Sequence, residues 1–102
     1  MRIILFFDLP TKTAKNKKDY LHFRKYLLND GYDMLQWSVY SRICNNHEMV
    51  QKRLTQVKKN LPAKGSVRAL PVTEKQYANM KILLGEKTTN EEFLEVNQLT
   101  LF

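Results

Sequence analysis

The residue types that staple, hinge or break a chain are scarce here: one cysteine, three glycines and three prolines in 102 residues. The single thiol, Cys44, excludes an internal disulfide framework and suits a reducing compartment. The glycines stand apart at 31, 65 and 85, so there is no glycine-rich phosphate loop, and a nucleotide-hydrolysing motor is excluded. Histidine is limited to His22 and His47. The run His47-Glu48-Met49-Val50-Gln51 starts like a zinc-protease motif but carries Gln51 where the second ligand must stand. Apolar runs reach only five residues, Ile3 to Phe7 among them, too short to span a membrane. That run also lacks the length and cleavage site of a secretory signal. We therefore expect a cytoplasmic protein with no membrane partner.

What is present describes one folded domain. Hydrophobic residues at 43% against 26% charged fit a globular chain of a size that builds one core. The net charge of +7 is unevenly spread. Leu9 to Arg68 holds thirteen basic and four acidic residues, whereas Ala69 onward holds three basic and five acidic. A basic front and an acidic tail point to a polyanion on one face, nucleic acid first among them.

Periodicity orders the elements. Arg2 to Asp8 reads as a strand buried on both faces and stopped by Pro10. Tyr20, Phe23, Leu27 and Leu28 mark an amphipathic helix from Ala14 to Asp30, with Thr13 as N-cap and Gly31 as its stop. Tyr32 to Ile43 reads as extended: either a hairpin turning tightly near Gln36 to Ser38 or, since it lacks Asn-Gly or Asp-Gly, one bent strand. Asn45 with Glu48 predicts the cap of a second helix, whose stripe is Val50, Leu54, Val57 and Leu61. Ser66 to Thr73 reads as a strand, and Pro71 argues that it lies at an edge or is irregular near that point. A helical turn over Thr73 to Asn79, a short strand over Met80 to Leu84 and a final strand over Leu99 to Phe102 complete the reading. This is an α+β chain with the ferredoxin-like βαββαβ order and an additional C-terminal strand. Two helices on one face leave the other face of the sheet bare, and a second copy is its expected cover.

One acidic group stands out. Asp8 closes an apolar strand just before a lysine-rich helix, where a carboxylate can hold Mg²⁺ while cations hold phosphates. The simpler role is to cap the Leu9-Pro10 turn, and the local sequence by itself suits that role well. One carboxylate is minimal equipment for Mg²⁺; a twofold axis that joined two copies of Asp8 would change this. Lys12, Lys15, Lys17 and Lys18 surround the start of the first helix, with Arg24 further along, and lysines so placed bind backbone rather than read bases. Lys52, Arg53, Lys58, Lys59, Lys64 and Arg68 form a second group whose role the sequence leaves open. Tyr20, Phe23 and Tyr26 have core spacing; Trp37 and Tyr40 can stack on a base or pack at a subunit interface, and packing is the expectation. Cys44 reads as a small buried thiol.

Phe6-Phe7-Asp8-Leu9-Pro10-Thr11, Tyr20 to Arg24, Gln36-Trp37-Ser38-Val39-Tyr40-Ser41-Arg42 and Gly65-Ser66-Val67-Arg68 together resemble the second CRISPR-associated protein family. That family is the small partner of the CRISPR integrase, and the version here looks most like those of type II systems. The resemblance covers residues 1 to about 85. It implies a ferredoxin-like core over 1–85 and an extension over 86–102 that pairs with the partner subunit of a homodimer. It implies that Asp8 is the catalytic, Mg²⁺-coordinating aspartate of an endonuclease acting on single-stranded RNA or double-stranded DNA. It implies a scaffold that holds duplex DNA beside the integrase subunit while new spacers are inserted. Lys12, Lys15, Lys17, Lys18, Arg24 and Arg42 are the expected nucleic-acid-binding residues. Two other readings stand beside it: a purely non-catalytic DNA-binding adaptor, and a ferredoxin-like RNA-binding module. The strands Arg2 to Asp8 and Ser66 to Thr73 lack the exposed aromatics on which such a module stacks bases.

Overall fold

A computed structural model describes residues 1–88 and Glu91. In them the chain runs β1 (Arg2–Asp8), α1 (Ala14–Asn29), β2 (Asp33–Gln36), β3 (Val39–Ile43), α2 (His47–Lys59), β4 (Ser66–Val72) and α3 (Glu74–Ala78). The strands form one antiparallel sheet in the order β2-β3-β1-β4. This is the ferredoxin-like arrangement expected from the element order. The expected strand at Leu99 to Phe102 lies outside the described residues, as does most of the 86–102 extension.

Strand β1 is central, and its pleat divides the molecule. Ile3, Leu5 and Phe7 point to one side, where they meet Tyr20, Phe23 and Leu27 of α1, Val50 and Val57 of α2 and Tyr40 of β3. Both helices therefore cover the same face. Arg2, Ile4, Phe6 and Asp8 point to the other side, and burial there fades along the strand, from 3% exposure at Arg2 to 40% at Phe6. The expectation of burial on both faces holds only for the first half of β1. Pro71 sits in β4, an edge strand, as its missing N–H requires.

The helix ends follow from local chemistry. Thr13 caps α1 by accepting a bond from the Asn16 amide at 3.0 Å. At the other end Gly31 adopts φ 92°, its amide bonds to the Leu28 carbonyl and the Tyr32 amide to the Leu27 carbonyl. That paired closure is the Schellman motif, and it needs a residue free to take positive φ. Helix α2 is capped by Asn46, whose side chain accepts from the Met49 amide at 2.8 Å, and not by Asn45 as expected. The shift has a cause: the Cys44 amide still bonds to the Met1 carbonyl, so the chain leaves the sheet one residue later.

The hairpin forms despite its missing turn signal. Gln36 pairs with Val39, leaving Trp37 and Ser38 as a two-residue turn with Ser38 at φ 61°. The Ser38 carbonyl accepts a bond from the Phe7 amide at 3.1 Å, so the central strand holds the turn in place. The expected helical turn after β4 is α3, closed at its start by a capping box between Thr73 and Gln76. It anchors the open face: Arg2 donates to both Glu74 carboxylate oxygens at 3.0 and 3.1 Å and lies 3.8 Å from the centre of the Tyr77 ring.

Met80 to Leu84 is not a strand. Its apolar residues Met80, Ile82 and Leu84 instead wall a cavity opposite Ile4, Phe6, Leu35 and Val39. These partners come from three different strands, so the segment lies across the sheet and not along an edge. The chain itself thus covers part of the face that a second copy was expected to cover. No helix among the described residues is long and apolar enough to cross a membrane.

A β-branched side chain is poorly accommodated in the left-handed conformation. Ser38→Val should therefore destabilise the protein by ~1–2 kcal/mol, whereas Ser38→Gly should be tolerated. Denaturant midpoints of the two variants check this, and equal midpoints would place the strain elsewhere.

Candidate active site

Asp8 is the last residue of β1, and two neighbours fix where it points. Phe7, immediately before it, is clamped in the core by Phe23 and Tyr40, each with ring centres 5.4 Å away, and by Tyr20 at 6.3 Å. The pleat then turns Asp8 to the opposite face, at the rim of the sheet. Gly65 presses on the backbone that follows. A Cβ at this position would lie 2.8 Å from the Asp8 carbonyl oxygen and 2.6 Å from Leu9 Cδ2, and the residue has φ 113°. Glycine is needed here for space and for conformation alike.

The Asp8 side chain is exposed, and no hydrogen bond or ion pair among the described residues engages it. A shallow groove at this rim is lined by Asp8 with Phe6, Trp37, Ser38, Ser66 and Arg68. Strand register explains the company. Ser66 lies opposite Asp8 and Arg68 opposite Phe6, so both project to the same side as the carboxylate. Arg68 places an exposed cation on that side. In the sequence it fell among the second basic group, far from Asp8; alternation along β4, counted from the turn at Gly65, is the signal that would have found it.

No group of three or more histidine, cysteine or acidic residues suited to a metal occurs among the described residues. Among the described residues, Asp8 is the carboxylate that lines this groove. Mg²⁺ binds through one or two carboxylates and completes its shell with water and phosphate oxygens. A single unengaged carboxylate beside an exposed guanidinium meets the lower bound of that requirement, and a second copy would meet the upper.

The lysines of α1 are held in an electrostatically unusual place. Lys12, Lys15, Lys17 and Lys18 are all exposed, and the first turn of α1 contains no acid. Cations at a helix N-terminus oppose the macrodipole, so this end is left short of negative charge. Helix α2 has the ordinary pattern, with Glu48 in its first turn and Lys58 and Lys59 in its last. The dipole accounts for Lys58 and Lys59 but not for the lysines at the start of α1. Arg24 is half-buried and faces Tyr20, while Arg42 is used within the fold. The Arg42 guanidinium donates to the Asp30 carbonyl at 2.6 Å and the Ile43 carbonyl at 3.1 Å. It pairs across from Ile3, at the far end of β1 from Asp8.

Tyr20, Phe23, Tyr40 and Cys44 are buried as expected. Trp37 is different. It is 72% exposed, and its ring stacks on Tyr20 at 5.7 Å with an interplanar angle of 22°. Burial, assisted by Tyr40, pushes the Tyr20 phenol up, so the ring beneath Trp37 stays neutral.

Comparison with known proteins agrees with this architecture. The family model for CRISPR associated protein Cas2 matches residues 1–80. A protein of Acidovorax ebreus (strain TPSY) named CRISPR-associated endoribonuclease Cas2 is 48% identical over 102 residues, covering all of both chains. One of the same name from Campylobacter jejuni is 47% identical over all of this chain and 71% of its own length. The crystal structure of Streptococcus pyogenes Cas2 at pH 6.5 superposes with a TM-score of 0.57. It is 24% identical and covers 81% of this chain and 99% of its own, a likeness of fold.

Gly65→Ala should cost ~2 kcal/mol or more, because a backbone oxygen must move and a left-handed residue gains a side chain. It should also lower any activity that depends on Asp8 by more than the loss of folded protein explains. Thermal melts and activity per folded molecule, measured together, separate the two effects.

Proposed function

The chain belongs to the CRISPR associated protein Cas2 family, and we propose that it is a homodimeric, metal-dependent endonuclease that grips nucleic acid through phosphates. The observation that carries this reading is the groove at the rim of the sheet, where an unengaged Asp8 carboxylate and the Arg68 guanidinium line one cleft. Arg68 would take a phosphate oxygen and neutralise its charge, and Ser66 would offer a hydroxyl to the same group. Asp8, with its partners limited to solvent, would hold Mg²⁺ through its carboxylate. When bound, that cation would polarise the phosphoryl oxygen and lower the pKa of a water. Phe7 and Gly65 are positioning residues: one fixes the direction of Asp8 and the other the course of the chain behind it.

A dimer completes the site in this reading. Exposed apolar side chains continue along the open face and the segment above it, with Leu70 at 51% exposure and Leu83 and Leu84 almost fully exposed. So much apolar surface on a small chain marks an association surface. A second copy there could supply a second Asp8.

The lysine cluster supports a further role within the same protein, that of holding duplex DNA in CRISPR adaptation beside an integrase subunit. Its own support is the acid-free, lysine-rich start of α1, which offers backbone amides and ammonium groups to one anion. Holding requires no metal, so the two roles are separable by experiment.

Asp8→Asn keeps the size and polarity of the side chain but removes the charge that attracts a dication. It should reduce Mg²⁺-dependent cleavage of single-stranded RNA or duplex DNA at least ~100-fold while leaving DNA affinity within about twofold. Equal turnover in the variant, prepared identically, would remove Asp8 from the chemistry.

Replacing Lys15, Lys17 and Lys18 by Ala should weaken unrelated duplexes to a similar extent. It should flatten the dependence of log affinity on log salt by ~0.9 for each phosphate that the protein no longer neutralises. Replacing Lys52, Lys58 and Lys59 should change that slope much less. Titrations of both variants across a salt series decide whether the start of α1 is the binding surface.

A further inference from the structure

Trp37 is the only tryptophan of the chain, and it stands in the two-residue turn between β2 and β3. One face of its ring rests on Tyr20, while 72% of the residue is open to solvent. Leaving so much indole exposed forfeits burial that a core position would provide. The turn that carries it is built at a cost as well, with Ser38 in the left-handed region at φ 61°. Strained positions of this kind persist where the surroundings hold them. Here the hold is visible: the Phe7 amide bonds to the Ser38 carbonyl, and Tyr20 stacks under the ring. The result is a flat aromatic surface fixed in one orientation, lining the same open groove as Asp8, Ser66 and Arg68.

Its other flank leads to the basic helix. Lys17 and Arg24 stand three and four residues from Tyr20, on the same side of α1, and the Arg24 charge acts on the Tyr20 phenol. A polyanion entering along α1 would therefore pass the indole before it reached the carboxylate.

From this geometry we infer that Trp37 is a base-stacking platform that positions an unpaired nucleobase of single-stranded RNA beside Asp8, and so makes the groove prefer single strands over duplexes. The inference rests on the hydrolytic reading above and adds a specificity element to it. Bases of a duplex are already stacked and offer no free face, whereas a single strand can splay a base onto an aromatic ring. Such stacking tolerates any base, because each has a π-face. The neutral phenol beneath the indole supports the ring without adding charge. Arg68 on the groove wall would take the phosphate that follows the stacked base.

The sole tryptophan makes the test direct. In EDTA, where no cleavage occurs, an unstructured RNA oligonucleotide should quench the intrinsic indole fluorescence of the wild-type protein. The same RNA annealed to its complement should leave it nearly unchanged at equal phosphate concentration. Asp8→Asn should show the same quenching. In steady-state cleavage with Mg²⁺, Trp37→Ala should raise KM by ~5- to 100-fold with kcat within about twofold, and Trp37→Tyr should recover most of the loss. Removing the base at single positions of the RNA should impair the wild type at one position and Trp37→Ala at none. The inference is overturned if a bound single strand leaves the indole unquenched, or if duplex quenches equally. It is overturned too if Trp37→Ala cleaves as wild type does, or if that variant changes sedimentation, which would place the indole between subunits. Quenching by a single strand without cleavage by any form would retain the platform and refute the hydrolytic reading instead.

Discussion

The clamp on Phe7 is the contact on which the rest depends. Three aromatic rings, from two residues of α1 and one of β3, hold this side chain in the core. β1 pairs with β4 without a register shift from Arg2 to Asp8, so fixing Phe7 inward fixes Phe6 and Asp8 outward. The same residue's amide holds the Trp37-Ser38 turn through the Ser38 carbonyl. One buried ring thereby orients the carboxylate, the residue before it and the loop that lines the same groove. Aromatic packing on one face of the sheet sets the chemistry available on the other.

A second constraint ties the helices to that frame. Asp30, at the end of α1, accepts from Arg42 of β3 through its carbonyl and from Arg53 of α2 through its carboxylate, the latter at 2.9 Å. Tyr26 also reaches the Asp30 carboxylate, and burial together with that negative charge pushes the Tyr26 phenol up. Three elements meet at one residue, and Gly31 lets the chain turn away beside the Arg42 guanidinium. Two arginines thus serve the architecture, and the net positive charge of the chain overstates what is free to bind. The acid-free start of α1 is where the surplus is not internally answered.

Much of the frame was legible in the sequence because it rests on local signals. The apolar run of β1, the Thr13 cap, the Gly31 stop, the Pro71 edge and the helical turn after Thr73 each act within a few residues. Where two local signals competed, the tertiary contact decided. Asn45, with Glu48 three residues on, carries the stronger local signal as a cap, yet the bond between Cys44 and Met1 selects Asn46. The hairpin lacks the dipeptide that announces a tight turn, and β1 holds Ser38 in the conformation a glycine would otherwise supply. Met80 to Leu84 alternates like a strand, but its partners are a sheet face and not an edge, which no pattern in those five residues reveals.

The candidate site divides along the same line. Asp8 and the lysines of α1 could be singled out in the sequence, because a carboxylate that ends an apolar strand and a run of cations at a helix start are patterns within one segment. Arg68 and Trp37 were visible as a cation and an aromatic, but not as neighbours of Asp8. They lie 60 and 29 positions from Asp8 in the chain, and only the antiparallel register of β1 with β4 and the return of the β2–β3 turn bring them to one groove. Arg42 went the opposite way, from the predicted binding set to a brace on α1, because its strand position faces the helices at the far end of β1. Side-chain type and spacing along the chain were enough for most of the elements, the family likeness and the lone carboxylate. Which cation and which aromatic ring stand beside that carboxylate was settled in three dimensions, since strand pairing, and not distance along the chain, sets which side chains share a face.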